Sequence, residues 1–327
     1  MGKRFFFQLF SASLLLLLCF FFSLSWGESP LFPWQWGGME KDGLEMAIIR
    51  HIRLPRSLTA LCIGGMLSMS GCLLQGLFKN PLVEPYTLGI SGGASLGVAL
   101  AVVLGVSPAL GFWGIGSFAF AGAIAVSVLI LFYGRSRHGI GNLLLAGIMT
   151  GILCSSGTTL LMSLSSPQDM TRILYWTMGS LESNDMHRSL ILCVFAGAGL
   201  AAGVLISQRV NLLSAGSRNA RLMGVNTAVL VPALLILTSL LTAVSTAQTG
   251  IIGFVGLIVP HILRRLCGND YRLLVPLSFL GGGIFLLLCD LIARSIIAPS
   301  QLPIGVVSGI LGGSVFIYLL LRKNKEA

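Results

Sequence analysis

The stretch that decides the fold runs from position 53 to position 85 and reads RLPRSLTALCIGGMLSMSGCLLQGLFKNPLVEP. Its centre, residues 58–77, is an uncharged run of about twenty residues, the length that a helix needs to cross the ~30 Å hydrocarbon core of a bilayer. Arg53 and Arg56 precede this run, and Pro81 and Pro85 follow it. Proline has no amide donor and interrupts a helix. We therefore predict a membrane-spanning helix that ends in a proline-broken turn.

The composition extends this prediction to the whole chain. Of 327 residues, 55% are hydrophobic and 10% are charged, whereas soluble domains carry roughly 25% charged residues. The chain also contains 41 glycines, and membrane helices approach one another through small residues. Gly89, Gly93 and Gly97 form one ladder of small residues, and Gly147 and Gly151 form another, so we predict helix contacts at both. The predicted fold class is all-α and polytopic.

Ten apolar segments are candidate transmembrane helices, and together they make residues 1–327 one predicted membrane domain. The segments are 5–24, 58–77, 87–106, 112–133, 143–164, 189–207, 227–247, 250–267, 273–293 and 302–321. The first could instead be a signal peptide. We predict a retained helix because its apolar run exceeds the ~7–15 residues of a signal peptide's apolar core and no Ala-x-Ala site follows.

The positive charges indicate the orientation. With the N-terminus inside and the spans alternating, two thirds of the 21 lysines and arginines fall on the inner side, while most acidic residues fall outside. This is the positive-inside pattern of membrane proteins. We predict that both termini are cytoplasmic, and nucleic-acid binding is not needed to explain the net charge of +10. Two outer segments, 26–55 and 165–188, are long enough to hold structure of their own.

Signatures of enzyme chemistry and metal binding are missing from the sequence. The seven cysteines form no CxxC pair and the four histidines are scattered, so neither a disulfide framework nor a metal site is predicted. No GxxxxGK[ST] phosphate loop and no HExxH motif occurs. We therefore expect that this chain is not an enzyme and carries no cofactor of its own.

Polar or helix-breaking residues interrupt the spans at three places. Gln75 is a polar residue inside the second span. The prolines of the 80–85 turn interrupt the helix just after it, and such interruptions occur where the backbone is buried in protein or lines a wet cavity. Pro260 and His261 lie in the short eighth span. Asp290 and Arg294 are four residues apart and share a helix face, so they can form an ion pair. The alternative interpretations are a tight cytoplasmic turn at 80–85 and a simple helix-end ion pair at 290–294.

Taken together, these motifs resemble the permease subunits of type II ATP-binding-cassette importers for iron–siderophore chelates, haem and cobalamin. The resemblance covers nearly the whole chain and rests on an ordered series of segments: 53–56, 71–75, 80–82, 89–94, 253–261, 290–294 and 302–305. It implies a bacterial inner-membrane permease that pairs with a second copy or a close paralogue. It also implies two ATPase subunits, which hold ATP and Mg, and a soluble binding protein outside.

The resemblance also assigns roles to individual residues. Arginines on the outer face would receive glutamates of the binding protein, and Arg53, Arg56 and Arg294 match them. The inner gate would include Asn80, Leu82, Gly141 and Asn142, with Gln75 as a further pathway candidate. ATPase coupling would use a pair of short helices within residues 212–225 on the cytoplasmic side. The coupling residues would be, in particular, Ser217, Ala220, Arg221, Leu222, Met223 and Gly224. The residues taken as structural parts of the motifs are Pro81, Pro85, Pro260, His261, Asp290 and Pro303.

The sequence departs from the family pattern at three positions: Ser217, Gln301 and Ser314, where glutamate, glutamate and proline are usual. The expected cargo is an iron chelate, with cobalamin as the alternative. An ion-coupled secondary transporter is the alternative from another class, but it needs carboxylates near the midplane, whereas Glu84 and Asp290 lie at span ends. Because few charges lie within the spans, we expect mostly apolar pathway walls.

Overall fold

The computed structural model describes residues 3–27, 43–106, 114–135, 140–182, 185–297 and 300–323. Within these ranges the chain forms helices joined by turns and contains no β-strand. The α-helices are α1 (Lys3–Ser25), α2 (Leu44–Ile48), α3 (Leu54–Phe78), α4 (Ile90–Val103), α5 (Ile115–Arg135), α6 (Ile140–Ser163), α7 (Pro167–Met178), α8 (Met186–Ser214), α9 (Ser217–Leu222), α10 (Thr227–Thr249), α11 (Val255–Cys267), α12 (Tyr271–Ser295) and α13 (Ile304–Lys323). A π-helical turn (Ile49–Arg53) joins α2 to α3, and a 3-10 turn (Pro85–Leu88) precedes α4.

Each of the ten predicted spans coincides with one helix of the described chain. Within the described residues, seven helical segments are long and apolar enough to cross a membrane. Two further apolar helices, α4 and most of α13, are shorter. The two long outer segments also hold structure, as predicted, in α2 with its π-helical turn and in α7. The polytopic all-α prediction is therefore confirmed.

The third and the eighth span begin later than predicted, because backbone that is not α-helical precedes them. The third was expected from residue 87, but the 3-10 turn occupies this position and ends at Gly89, whose φ of 73° breaks the helical path before Ile90. The eighth was expected from residue 250, but residues 250–254 are not helical and α11 begins at Val255. In both cases the residues before the helix are mostly apolar but not α-helical. Hydropathy does not distinguish them from the helix that follows, so the predicted spans began too early.

The central element is α3, the helix of the sequence quoted first. Nearly its whole length is buried, and it packs against α8, α10, α11 and α12. Small residues permit this crowding, because a methyl group at Gly64 would collide with the carbonyl of Gly282, and one at Gly71 with the carbonyl of Gly256. Packing at this distance supplies the dispersion contacts that hold membrane helices together.

The two predicted glycine ladders are confirmed as packing contacts. A methyl group added to Gly93 would lie 2.5 Å from the carbonyl oxygen of Gly122 in α5. One added to Gly89 would lie 2.5 Å from the carbonyl oxygen of Gly147 in α6, and one added to Gly151 only 3.0 Å from the Cα of Gly89. These contacts attach α4 to α5 and α6.

Helix ends that were predicted to share a side of the membrane lie together. At one end, which we call the outer end after its predicted topology, Arg56 of α3 meets Asp290 near the end of α12 and Gln301 just before α13. At the opposite, inner end, Asn211 of α8 forms hydrogen bonds with Asp270 and Tyr271 at the start of α12. The alternating order of the helices therefore agrees with the charge pattern.

Candidate functional site

The outer end contains a buried charge cluster. The Nε atom of Arg56 donates to Oδ1 of Asp290 at 2.7 Å, and Nε of Arg294 lies 3.6 Å from Oδ2 of the same carboxylate. The exposed fraction of Asp290 is 0%, and that of each arginine is 8%. Gln301 accepts a further hydrogen bond from Nη1 of Arg56. One carboxylate therefore serves two guanidinium groups away from solvent.

The carboxyl end of α1 completes this cluster. Arg53 donates from Nη1 to the carbonyls of Leu24, at 2.9 Å, and Ser25, at 3.0 Å, while Arg294 donates to the carbonyl and the hydroxyl of Ser23. The last carbonyls of a helix have no partner within the helix and carry partial negative charge, so they attract cations. The first apolar segment is thus a packed helix that holds two of the predicted docking arginines.

The predicted ion pair between Asp290 and Arg294 is confirmed, but the nearer partner of Asp290 was missed. A signal for it existed, because a carboxylate inside an apolar span is expensive and requires a partner. Arg56 was a candidate for this partner, because it was predicted to lie on the outer side at the start of the second span, as Asp290 lies near the outer end of its own span. The three arginines are brought together at one end, yet each is buried and bonded within the chain. Their role in docking remains a prediction.

The proline-broken segment turns from the inner end back into the helix bundle. Asn80 accepts a hydrogen bond from the amide of Leu82 through Oδ1, at 3.0 Å, which forms a local turn. Pro81 and Leu82 are exposed, whereas Pro85 is buried and begins the 3-10 turn. A methyl group on Gly256 of α11 would lie 2.6 Å from Cδ of Pro85. The segment therefore presents Leu82 at the surface and anchors itself through Pro85.

Two side chains of this segment hold the non-helical residues 250–254. Glu84 accepts the amide proton of Phe254 through Oε2 at 3.1 Å, and the Tyr86 hydroxyl accepts that of Ile252 at 3.1 Å. Phe254 has a φ of 69°, a left-handed conformation that is an outlier for a bulky residue. Such strain persists only where the surroundings impose it. The segment that carries Asn80 and Leu82 is thereby joined to the residues that precede α11.

The same linker packs against α7 and α13, since a methyl group on Gly250 would collide with the carbonyl oxygen of Trp176 and one on Gly305 would lie 2.5 Å from that of Ile251. The amide of Ser180 donates to the carbonyl of Thr249 at 2.8 Å, and the amide of Ile304 donates to the carbonyl of Gly179 at 3.1 Å. Pro303 directly precedes this contact. Residues 250–254 therefore connect the predicted outer segment after α7 with the 80–86 segment.

The other predicted gate residues have different surroundings. Gln75 is buried, donates to the carbonyls of Gly256, at 3.1 Å, and Leu257, at 3.4 Å, and lines neither of the two cavities described below. It links α3 to α11. Gly141 and Asn142 are exposed at the start of α6, and no hydrogen bond joins them to Asn80 or Leu82 in the described chain.

In α11, Pro260 is buried and the ring of His261 contacts that of Phe316, with centroids 5.9 Å apart.

A cavity of about 620 Å³ lies between the 86–92 region and α6. Hydroxyl-bearing side chains form much of its wall, including Tyr86, Ser91, Ser155, Ser156 and Thr159. Within the described residues, the hydroxyls of Ser91, Ser155 and Ser156 make no hydrogen bond to protein, so they are available to solvent or a ligand. A pathway along this face would be uncharged, with these hydroxyl groups set among otherwise apolar surface.

The predicted coupling segment contains one short helix rather than the pair that the resemblance implied. Residues 212–214 continue α8, and α9 covers Ser217–Leu222. Ala220 is fully buried and anchors α9, whereas the side chains of Leu222 and Met223 are 80% and 68% exposed. Gly224, with a φ of 82°, ends the turn. The segment thus presents two apolar side chains at the inner end.

Charge interactions at the inner end stabilise the start of α12. Hydrogen bonds from the Arg272 guanidinium, and secondarily from Asn211 and the Arg272 amide, lower the pKa of Asp270 to about 2 from its ordinary 3.8. Asn211 also accepts the amide proton of Tyr271 at 2.8 Å. The last turns of α8, directly before the coupling segment, are therefore fixed to α12.

Comparisons with known proteins agree with this architecture. The sequence model of the FecCD transport family matches residues 15–322. The vitamin B12 import system permease protein BtuC of Salmonella typhi is 40% identical over 323 residues, which cover 97% of this chain and 95% of that protein. Its counterpart in Salmonella newport has the same identity and coverage.

Two solved structures have a similar fold. A protein described as a metal-chelate type ABC transporter in an inward-facing conformation aligns with a TM-score of 0.87 and 31% identity, covering 96% of this chain and 98% of that one. PsaBC from Streptococcus pneumoniae, solved in complex with Fab, aligns with a TM-score of 0.57 and 20% identity over 81% of this chain and 89% of that one. At that identity the second likeness concerns the fold alone.

Proposed function

This chain belongs to the FecCD transport family, and we propose that it is the inner-membrane permease subunit of an ATP-driven importer whose cargo is cobalamin or a closely related corrinoid. The observation that carries the cargo assignment is the 40% identity, over nearly the full length, to permeases named for vitamin B12 import. The uncharged, hydroxyl-lined cavity beside α6 suits a large ligand that offers many hydrogen-bonding groups and is released again.

The proposed mechanism is alternating access. A soluble binding protein delivers cargo at the outer end, and two ATPase subunits bind and hydrolyse ATP with Mg at the inner end. Their differential affinity for the two conformations shifts the populations of the outward-facing and inward-facing states. This chain supplies the pathway and pairs with a second copy or a close paralogue, while the nucleotide and its metal belong to the partners.

The outer arginine cluster is the proposed docking site for acidic side chains of the binding protein. Arg53, Arg56 and Arg294 place three positive charges at the outer end, where Asp290 is the one carboxylate of the described chain that pairs with any of them, through Arg56 and Arg294. Excess positive charge at an interface steers and orients an acidic partner. The α1 carbonyls that hold Arg53 and Arg294 fix the direction in which these groups present their charge.

Docking is tested with Arg53→Glu combined with Arg56→Glu, measured as binding of the purified binding protein to the purified permease. The control combines Arg172→Glu with Arg188→Glu, which makes the same charge change at exposed or half-exposed side chains predicted to be on the same side. We expect weaker docking in the first variant only. Since Arg56 also pairs with Asp290, thermal unfolding of both variants identifies loss of fold. A folded first variant with normal docking contradicts the assignment.

An iron chelate is the second candidate cargo, because a solved relative with a TM-score of 0.87 is described as of the metal-chelate type. An uptake assay distinguishes the two candidate cargoes. It measures the uptake of labelled cobalamin, ferric siderophore and haem into cells that lack this chain and into the same cells after the chain is restored. We expect restoration of cobalamin uptake. Restoration of ferric siderophore or haem uptake alone would reject the corrinoid assignment while leaving the importer intact.

A further inference from the structure

A second cavity, a groove of about 690 Å³, lies at the inner end between α5, α9 and α10. Most of its wall is apolar, with Phe132 of α5 and Val231 and Ile236 of α10 among its members. The polar side chains that line it within the described chain are Ser217, Arg221 and Thr227. Ser217 and Arg221 belong to the predicted coupling segment, but none of the predicted docking or gate residues lines the groove.

The groove is polar at one end only. Ser217 and Arg221 belong to α9, and Thr227 is the first residue of α10, so all three lie at the inner end. From Thr227 to Ile236 the helix rises about 13 Å, and the α10 side chains that line the groove along this rise are apolar. A ligand that fits has a polar head at the inner surface and an apolar tail that extends toward the bilayer centre.

The groove is accessible from the side where lipid is expected. The side chains of Phe132 and Ile236, which line it, are 64% and 52% exposed. Both belong to helices that were predicted to span the membrane. An apolar groove that opens laterally at this depth meets acyl chains rather than water.

The charge at the mouth selects an anionic head group. Residues 209–225 include Arg209, Arg218 and Arg221 and no acidic residue. The hydrogen bond of Arg221 runs from Nε to the carbonyl of Ser217 at 3.4 Å, and its terminal nitrogens donate to no carboxylate of the described chain. A guanidinium group in this state is suited to a phosphate, which it can bind through two parallel hydrogen bonds.

A proline in the groove adds an acceptor near the mouth. Pro232 has no amide proton, so the carbonyl of Ala228 cannot accept the usual helical hydrogen bond from position 232. Both residues line the groove. A hydroxyl group on the lipid head, as in a glycerol head group, could donate to this carbonyl.

We propose that the groove binds one acidic phospholipid, with its phosphate on Arg221 and an acyl chain along α10. The lipid would contact α9, the short helix that ends at the exposed Leu222 and is followed by the exposed Met223. The site does not depend on the cargo or on the direction of transport, so it can be tested on the full-length permease alone.

The test is native mass spectrometry of the purified full chain titrated with phosphatidylglycerol or phosphatidylcholine of identical acyl chains. We expect tighter binding of phosphatidylglycerol, and a loss of about fivefold in Arg221→Gln, the effect of one cation near a membrane surface. Arg218→Gln is the matched control, because Arg218 belongs to the same helix but does not line the groove. It should bind like the unmodified chain.

A second pair of variants tests the tail site. Ala228→Trp fills the groove and should abolish the specific lipid adduct, whereas Ala233→Trp, at an exposed position of α10 outside the groove, should not. Equal binding of the two lipids, or equal loss in Arg218→Gln and Arg221→Gln, would overturn the head-group assignment. Retention of the adduct in Ala228→Trp would overturn the groove as the site of the tail.

Discussion

Arg56 in α3 and Asp290 in α12 form an ion pair, with 2.7 Å between Nε and Oδ1, although 234 positions separate them in the chain. The pair joins the central helix of the bundle to the helix that packs most extensively against it. Arg294 and the end of α1 complete the same cluster. The proposed docking surface is therefore also a structural junction of three helices.

Removing the carboxylate should be strongly destabilising. We predict that Asp290→Ala lowers the free energy of unfolding by about 3–5 kcal/mol, because it leaves two buried guanidinium groups without their counter-charge. Unfolding in mixed micelles measures this. Arg172→Ala is the control, since the Arg172–Asp169 pair is at the surface and such pairs contribute about 0–1 kcal/mol. Similar losses in the two variants would show that the buried pair has no special role.

The contacts of Glu84 and Tyr86 should matter for transport more than for folding. We predict that Glu84→Ala and Tyr86→Phe each reduce the uptake rate, because they release residues 250–254 from the 80–86 segment. Glu84→Gln keeps an acceptor for the Phe254 amide and should retain most of the activity. Uptake per molecule of inserted permease is the measurement. If Glu84→Gln were as impaired as Glu84→Ala, the charge of Glu84 and not its hydrogen bond would be the important property.

The exposed apolar side chains of the coupling segment should transmit the signal to the ATPase. We predict that Leu222→Asp combined with Met223→Asp abolishes stimulation of ATP hydrolysis by loaded binding protein, with little effect on folding, because both side chains are exposed. Val229→Asp, at another exposed apolar side chain in the first turn of α10, is the control for added charge near the inner surface. Normal stimulation in the double variant would place the coupling contact elsewhere.

The inner end should lose stability in acid through Asp270. Its pKa is lowered to about 2 in the folded protein, so the folded state favours the ionised carboxylate. This contribution is complete above the ordinary pKa of 3.8 and is lost as the pH falls through about 2. We predict that the difference in melting temperature between the unmodified chain and Asp270→Asn shrinks across this window. A difference that does not change with pH would contradict the assignment.

Hydropathy and charge were sufficient to predict the spans and their alternation, because burial in lipid and the positive-inside bias act along the chain one segment at a time. The glycine ladders at 89–97 and 147–151 were also predictable, because a spacing of four residues places the glycines on one face of a single helix. The need of Asp290 for a partner was also predictable, but the identity of that partner was not, since it depends on the rotation and depth of two helices far apart in sequence. The contacts of Gln75 and Glu84 were not predictable, because their partners are backbone groups of residues 254–257, which appear in the sequence only as an apolar run.

Import driven by ATP hydrolysis in partner subunits can be measured as accumulation of labelled cobalamin in proteoliposomes that contain this chain with its ATPase subunits. Cargo-loaded binding protein is supplied on the side of the outer end, and ATP on the side of the inner end. We expect accumulation that requires both the ATP and the binding protein and does not change when ion gradients are collapsed. Accumulation without ATP that follows an ion gradient would contradict ATP-driven import and favour a secondary transporter.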